Sequence, residues 1–398
     1  MKSSPPRRVL IVRQAYYPEN LRFEDQARKL VEHGCEVVVL SLRRQNQPRK
    51  EVLHGVEVHR VPFSWIRKGP LLYALQYVAF LLIALAFTTI QCFRRRADAI
   101  LVSNLPDVLV FCALIPKLMG ARVVLDIRDP MPETLATRYQ LEASHPLCRL
   151  AAVEERLSCR FADGVLTVHE PIRDLLLARG VSADKLWVLY NLPDAAEFVQ
   201  RGAQGNPAVR SRGPLLMFHG TIAHRFGIDT AIRALGQVRH ECPGVRFSIY
   251  GEGEASSALQ KLAEDLGLSD CVIFHGFQPS SVIVQALHAA DMAVIPHLRT
   301  PGMDIVLPTK LLECMACGIP AIVSRNPVME GMIPEEAVRF FPAGDQEALA
   351  KIILDIYENP DRAAAVALSA SQWLARIRTC RYQQQFSRWL LSGNPIVA

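Results

Sequence analysis

Short β-branched runs recur along this chain, each followed by a polar loop and then a helical pattern. The first run is 9–12; a polar stretch at 13–25, a helical pattern to His33-Gly34 and a second run at 36–42 follow it. Such alternation builds parallel sheets through β-α-β crossovers. The series continues at 56–61, 98–103, 122–126, 165–167 and 187–190. From 191 to 214 the chain turns rich in Pro, Gly, Ala, Arg and Asn with little apolar periodicity, which marks a linker. The alternation restarts at 215–219, 245–250, 271–275, 292–295, 320–323 and 338–341, with helices at 227–241, 254–266 and 309–317. The pattern predicts an α/β protein of two domains, 1–192 and 214–398, joined by a linker at 193–213. The last helix is a candidate to pack back on the first domain. A length of 398 residues suits two cores better than one.

Composition narrows the function. Half the residues are hydrophobic and 21% are charged, which excludes intrinsic disorder. The formal charge of +6 is mild for a nucleic-acid binder, which gathers its basic residues on one face, so no nucleic-acid partner is expected. It suits a protein that handles anionic substrates or rests on an anionic leaflet. Ten cysteines are scattered, and Cys314-x-x-Cys317 is the one close pair, with no second pair or His cluster to complete a zinc site. They read as buried small hydrophobes in a reducing compartment, and no metal is expected. Residues 1–8 lack the apolar core of a signal peptide, so the chain is expected in the cytoplasm.

Residues 69–93 carry no charge and are flanked by Arg67-Lys68 and Arg94-Arg95-Arg96. Length and hydropathy alone would read a transmembrane helix. Strands on either side belong to one sheet, however, and a sheet cannot be assembled from both sides of a bilayer. The segment is therefore expected to be an apolar helix lying in one leaflet of the cytoplasmic face of the inner membrane, its basic ends on anionic head groups. A buried crossover helix is the alternative. Gln76 and Gln91 are the only hints of a solvated stripe.

The most informative segment is 307–320, Leu-Pro-Thr-Lys-Leu-Leu-Glu-Cys-Met-Ala-Cys-Gly-Ile-Pro. A loop opens a helix there, and Gly318 stops it before the next strand. Free amides at a helix start form an anion site, and Lys310 adds a cation for phosphate. Glu313, one turn in, would accept hydrogen bonds from the two hydroxyls of a ribose. The plainer reading is a capped helix with a solvated Lys–Glu pair. Other strands end at His219-Gly220-Thr221, Tyr250-Gly251-Glu252-Gly253 and His275-Gly276-Phe277, and Arg225 precedes Phe226-Gly227 at a helix start. Strand ends in one open sheet share a rim, so these turns are expected to converge. The lone Gly251-x-Gly253 lacks the third glycine of a dinucleotide fingerprint, which disfavours a dehydrogenase. His219, His275 and His297 read as packing residues, while His169-Glu170 follows a first-domain strand.

This ordering resembles the large retaining glycosyltransferase family four, the group 1 glycosyltransferases of the GT-B fold. The likeness covers about residues 7–392 and is strongest over 215–325. The first loop, Val12-Arg13-Gln14-Ala15-Tyr16-Tyr17-Pro18-Glu19-Asn20-Leu21-Arg22, and the stretch Leu125-Asp126-Ile127-Arg128-Asp129-Pro130-Met131-Pro132-Glu133 resemble those of bacterial exopolysaccharide and polysaccharide-assembly members. The resemblance implies two Rossmann-like domains facing across a cleft and a metal-independent transfer of a sugar from a nucleotide diphosphate-sugar, UDP favoured, to a hydroxyl acceptor such as a lipid-linked glycan. No cofactor is implied, since the nucleotide-sugar is a substrate.

Carried over by position, Lys310 and Arg225 would face the diphosphate, helped by Gly220, Thr221 and the amides at Thr309 and Leu311. Glu313 would hold the ribose, the turn at Gly276-Phe277 would receive the base through its backbone, and Gly251 counts among the nucleotide-sugar-binding residues. Tyr17, Arg22, Arg128 and Asp129 would border the transferred sugar and the acceptor. Arg128, Asp129, Arg225 and Lys310 are the catalytic candidates. The chain departs from the family in four places. The first of the usual two Glu, eight residues apart, is Ile305, with Asp304 beside it. The usual Lys-Gly is Phe226-Gly227. The first-loop glycine pair is Asn20-Leu21, and Arg128 stands where many members have His. Two other readings compete. A nucleotide-sugar epimerase of the same fold would need no acceptor, and a non-catalytic membrane adaptor would bind no nucleoside diphosphate.

Overall fold

The computed structural model describes residues 7–18, 21–64, 70–142, 144–199, 213–380 and 385–392. The chain divides into two compact units, one of 1–191 with 380–398 and one of 192–379. The boundary falls between 191 and 192, and 380–398, which holds the last helix, groups with the first unit. Leu192 already packs in the second unit, and most of the expected linker, 200–212, lies outside the described residues.

Among the described residues the first unit holds eight strands in the order β3-β4-β2-β1-β5-β6-β7-β8. These are β1 (Arg8–Tyr16), β2 (Glu36–Leu42), β3 (Lys50–Leu53), β4 (Val56–Arg60), β5 (Ala99–Ser103), β6 (Arg122–Asp126), β7 (Gly164–Thr167) and β8 (Leu186–Val188). Every ladder is parallel except β3–β4. The short antiparallel β3 adds to the strands read from the sequence: its four residues, Lys-Glu-Val-Leu, hold only two apolar side chains, and Val52 is exposed.

Alternating side chains along β1 face opposite cores. Val9 and Ile11 meet Phe23, Ala27 and Leu30 of α1 (Leu21–Glu32), while Leu10 and Val12 meet Phe80 and Ala84 of α2 (Pro70–Arg94). With α2 on that second face lie a 3-10 turn, Asp107–Ala113, α3 (Leu114–Leu118), α5 (Pro146–Phe161) and α6 (Glu170–Ala178); α4 (Met131–Tyr139) packs on α5. The C-terminal helix Phe386–Ser392 joins α1 on the first face. Its Phe386, Trp389 and Leu390 are buried there, and Trp389 stacks on Trp187 with ring centroids 5.0 Å apart.

Helix α2 inverts the usual amphipathic pattern. Gln76, Thr88 and Gln91 are buried, their side chains bonded to Ser64 O, Cys112 O and the Arg8 guanidinium. Its outward side shows Leu75, Val78, Leu82, Ile90 and Phe93. The two glutamines are therefore not a solvated stripe. Residues 75–94 are long and apolar enough to cross a membrane, yet the helix connects two strands of one sheet and is partly buried on it.

The second unit holds six parallel strands, β11-β10-β9-β12-β13-β14. They are β9 (Leu215–His219), β10 (Arg246–Tyr250), β11 (Val272–Phe274), β12 (Met292–Ile295), β13 (Ala321–Ser324) and β14 (Arg339–Phe341). All six lie where the apolar runs predicted them. Helices α7 (Ile228–Glu241), α8 (Ser256–Asp265), α9 (Ser280–Ala289) and α10 (Thr309–Cys317) make the crossovers that position the site. Both units are Rossmann-like, with helices on each face of a parallel sheet. All ten cysteines are free, and Cys314 and Cys317 are core residues.

Candidate active site

The carboxyl ends of β9, β10 and β11 are stitched into one rim. The Gly220 amide donates to Tyr250 O at 2.9 Å, and the Gly251 amide to Gly276 O at 2.8 Å. Gly251 has φ +131°, and a Cβ there would lie 1.9 Å from Gly220 O, so only glycine lets the two turns close together. His275 stacks on Tyr250 at 4.2 Å and bonds Ser248, which makes it a rim brace.

Lys310 reaches this rim from the first turn of α10. Its Nζ is buried and makes no hydrogen bond to a described residue. It lies 4.1 Å from the Phe218 ring centroid and 4.4 Å from that of Phe226. A Cβ on Gly220 would sit 3.2 Å from it, so the ammonium faces the Gly220 turn. Burial pushes its pKa down to about 7, with Glu313 opposing and Arg225 reinforcing the shift. An ammonium held out of water without an acceptor is costly, and a bound anion would relieve that cost. Of the first-turn amides of α10, those of Leu311 and Leu312 donate to Pro308 O, which leaves those of Thr309 and Lys310 at the helix start for an anion.

Phe226, where the family usually has lysine, gathers the basic groups. Besides Lys310, the Arg225 guanidinium carbon lies 4.7 Å from its ring centroid and the His297 ring 5.0 Å. Arg225 is partly exposed and 4.0 Å from Glu254. His297 is buried, and neither ring nitrogen bonds a described residue. Burial first, then Lys310 and Arg225, holds its pKa well below the usual range, so the ring is neutral.

Glu313 follows one turn after Lys310, and its Oε2 accepts a 2.6 Å hydrogen bond from His219 Nε2. Oε1 makes no hydrogen bond to a described residue. Thus the structure brings Gly220, Arg225, Lys310 and Glu313 together, with Thr221 and Thr309 exposed at the same turns. Phe277 is 77% exposed, its amide directed to Glu252 Oε1 at 3.4 Å. Leu311 does not fit its expected role, since its side chain is fully buried in the core and its amide donates to Pro308 O at 3.0 Å. Asp304 pairs with Arg299 on its own loop, so its carboxylate is engaged there. His219, a packing residue by its sequence context, instead braces Glu313. The Phe226 cluster was not legible in the sequence, because the three basic groups come from separate loops.

In the first unit, the Arg128 amide donates to Asn104 Oδ1 at 3.1 Å, and Asn104 Nδ2 donates to Asp129 O at 2.7 Å. Asn104, unpredicted, therefore clamps the Arg128-Asp129 peptide at the end of β6. A polar residue just past a strand end was the one signal for it. Burial lowers the Arg128 pKa to about 10, and Asp129 opposes that shift. Tyr17 is a correction. Its ring is 3% exposed, packs edge-on against Phe23 at 5.0 Å and has its pKa pushed up to about 12 by burial, so it supports the first loop from inside. The Arg22 side chain lies outside the described residues. His169 is buried, and Glu170 accepts from the Tyr190 hydroxyl. Among the described residues, no group of three or more His, Cys, Asp or Glu side chains is placed to hold a metal ion.

Comparison with known proteins places these features. A family profile described as glycosyl transferase 4-like domain matches residues 20–191, and one described as glycosyl transferases group 1 matches 203–373. Among curated proteins, a GDP-mannose-dependent alpha-(1-6)-phosphatidylinositol monomannoside mannosyltransferase of Mycolicibacterium smegmatis is 28% identical over 40% of this chain and 43% of its own. The putative colanic acid biosynthesis glycosyl transferase WcaI of Escherichia coli is 26% identical over 56% of each chain. The chain thus spans about half the length of these relatives. Among solved structures, a sucrose-phosphate synthase from Thermosynechococcus elongatus superposes over 96% of this chain and 98% of that one, with a TM-score of 0.76 at 16% identity. Anabaena Alr3699/HepE in complex with UDP-glucose does so over 97% and 99%, with a TM-score of 0.70 at 18% identity. At those identities the likeness is one of fold. The two profiles together take in nearly the whole chain, one on each unit, and the protein belongs to the group 1 glycosyltransferases.

Proposed function

We propose that the enzyme moves a sugar from a nucleotide diphosphate-sugar to a hydroxyl of a lipid-linked glycan in cell-surface or exopolysaccharide synthesis, with retention at the anomeric carbon. The observation that carries this reading is the buried, unbonded Lys310 ammonium facing the Gly220 turn. A leaving diphosphate develops negative charge where that ammonium and the α10 amides lie, and preorganised donors stabilise such charge without reorganising. Arg225, on a partly exposed turn, supplies a second cation that can swing onto the phosphates. Glu313 Oε1, with Oε2 fixed by His219, accepts from the ribose. Arg128 and Asp129 lie on the acceptor side, and front-face attack needs no protein nucleophile.

WcaI is named for colanic acid, and the AmsK protein of Erwinia amylovora, 28% identical over 37% of this chain and of its own, is named for amylovoran. These names support the polysaccharide setting. Alr3699/HepE was solved with UDP-glucose, whereas the mycobacterial relative is GDP-mannose-dependent. UDP remains the favoured carrier here. The exposed apolar side of α2, followed by Arg94-Arg95-Arg96, supports a peripheral position on the cytoplasmic face of the membrane.

The test is a thermal-shift screen with UDP, GDP and ADP, followed by mass-spectrometric assay of sugar transfer to lipid-linked acceptors. Lys310→Ala and Glu313→Ala are each expected to lower turnover or donor affinity about tenfold or more, in keeping with the loss of a charge-assisted contact. Wild-type rates in both variants would reject the donor site. An epimerised sugar formed from donor alone would instead identify an epimerase.

A further inference from the structure

Helix α5 carries a second exposed apolar stripe that the membrane reading of α2 does not use. Leu147, Leu150, Val153 and Leu157 recur at helical spacing and are 51–65% exposed. Arg149, Arg156 and Arg160 border them, all exposed. The helix buries its opposite side, with Cys148, Ala151, Glu155, Ser158 and Cys159 against the unit's interior.

The two apolar helices share one layer. The 107–113 turn lies between them: its Cys112 carbonyl accepts from Thr88 of α2, and its Phe111 ring lies 4.9 Å from Phe161 of α5. Both helices coat the same face of the sheet. Between them, Leu114 and Leu118 at the ends of α3 are 45% and 77% exposed.

We propose that the outer sides of α2, α3 and α5 form one docking plane for an anionic lipid bilayer, so that α5 fixes how the first unit lies on the membrane instead of α2 acting as a lone anchor. The proposal rests on the membrane reading above and goes beyond it. Charge selects the occupant. Neither α2 nor α3 contains an acidic residue. The acids of α5 turn inward, Glu154 to the Val108 amide and Glu155 to Arg179. A rim of arginines around apolar side chains matches anionic head groups over acyl chains. The same rim would repel a second copy of itself.

The experiment is co-sedimentation of the full chain with phosphatidylcholine vesicles, with and without phosphatidylglycerol. Wild type is expected to bind the phosphatidylglycerol vesicles. Leu150→Glu with Leu157→Glu on α5, and Leu82→Glu with Phe93→Glu on α2, are each expected to weaken that binding about tenfold, as charges placed on an inserting face do. Arg149→Gln with Arg156→Gln should weaken it similarly and flatten its dependence on phosphatidylglycerol content. Thermal stabilisation by UDP should persist in all three variants, which shows that they are folded. If the α5 variants bind like wild type while the α2 variant does not, the plane is overturned and the anchor reading of α2 survives. If wild type binds neither vesicle, both readings fall. If wild type self-associates without binding vesicles and Leu150→Glu with Leu157→Glu makes it monomeric, the face joins two copies and the proposal is overturned.

Discussion

His219 Nε2 and Glu313 Oε2 lie 2.6 Å apart, joining the end of β9 to the first turns of α10 across 94 residues of sequence. A carboxylate so held has one oxygen engaged and the other positioned. His219→Ala is expected to weaken UDP binding about tenfold, because a hydrogen bond to a charged group is lost and the ribose partner is released to rotate. Turnover at saturating donor should change far less. Calorimetric Kd values for UDP and a separation of kcat from KM check this, and an unchanged Kd would leave His219 as packing.

Lys310 predicts a pH dependence. Its pKa falls from 10.5 unfolded to about 7 folded, mainly through burial. Between those values the unfolded chain holds more protons, so stability rises with pH across the window and is lowest below it. Lys310→Met should therefore raise Tm most at about pH 6 and least at about pH 10. A nucleoside diphosphate favours the charged form, so UDP binding should take up a proton at about pH 8 and weaken as pH climbs further. Titration calorimetry in buffers of different ionisation enthalpy measures that uptake. Lys310→Met should abolish it.

Phe226 is expected to set the affinity for the diphosphate without touching it. Lys310 and Arg225 lie 4.4 and 4.7 Å from its ring centroid. Phe226→Leu keeps an apolar side chain but removes the quadrupole that gathers both cations, a loss of roughly 1 kcal/mol for each contact. Donor KM should rise about thirtyfold as the two losses combine, and Phe226→Tyr should restore most of it. Equal defects in Leu and Tyr variants would reduce the ring to packing.

Glu154 offers a stability test away from the donor site. Burial pushes its pKa up to about 7, with the Val108 amide opposing and Glu155 reinforcing. The folded form then holds a proton that the unfolded chain has released, so stability is lost as pH rises from the ordinary glutamate range through about 7. Glu154→Gln can keep the Val108 contact and avoids the buried charge. Its Tm should match wild type at about pH 4.5 and exceed it by roughly 2 °C at about pH 8. A lower Tm at the alkaline end would show that the carboxylate is worth more than its burial costs.

Much of this architecture was legible because every strand but β3 is a short apolar run and the crossovers carry helical patterns, signals held by neighbouring residues. Lys310 and Glu313 were legible for the same reason, since one helix turn holds both. The His219–Glu313 bond and the gathering at Phe226 join loops far apart in the chain, and no local pattern encodes them. Tyr17 misled because a tyrosine in a polar loop looks accessible until Phe23 is seen beneath it. The two glutamines of α2 misled likewise, for their polarity faces inward.

The return of Phe386–Ser392 to the first sheet has a bearing on synthesis. Trp187 emerges from the ribosome some two hundred residues before the tryptophan that covers it. The second unit has been threaded out in the interval. Until those residues have followed, Trp187 and the part of the first face that α1 does not reach stay without their cover.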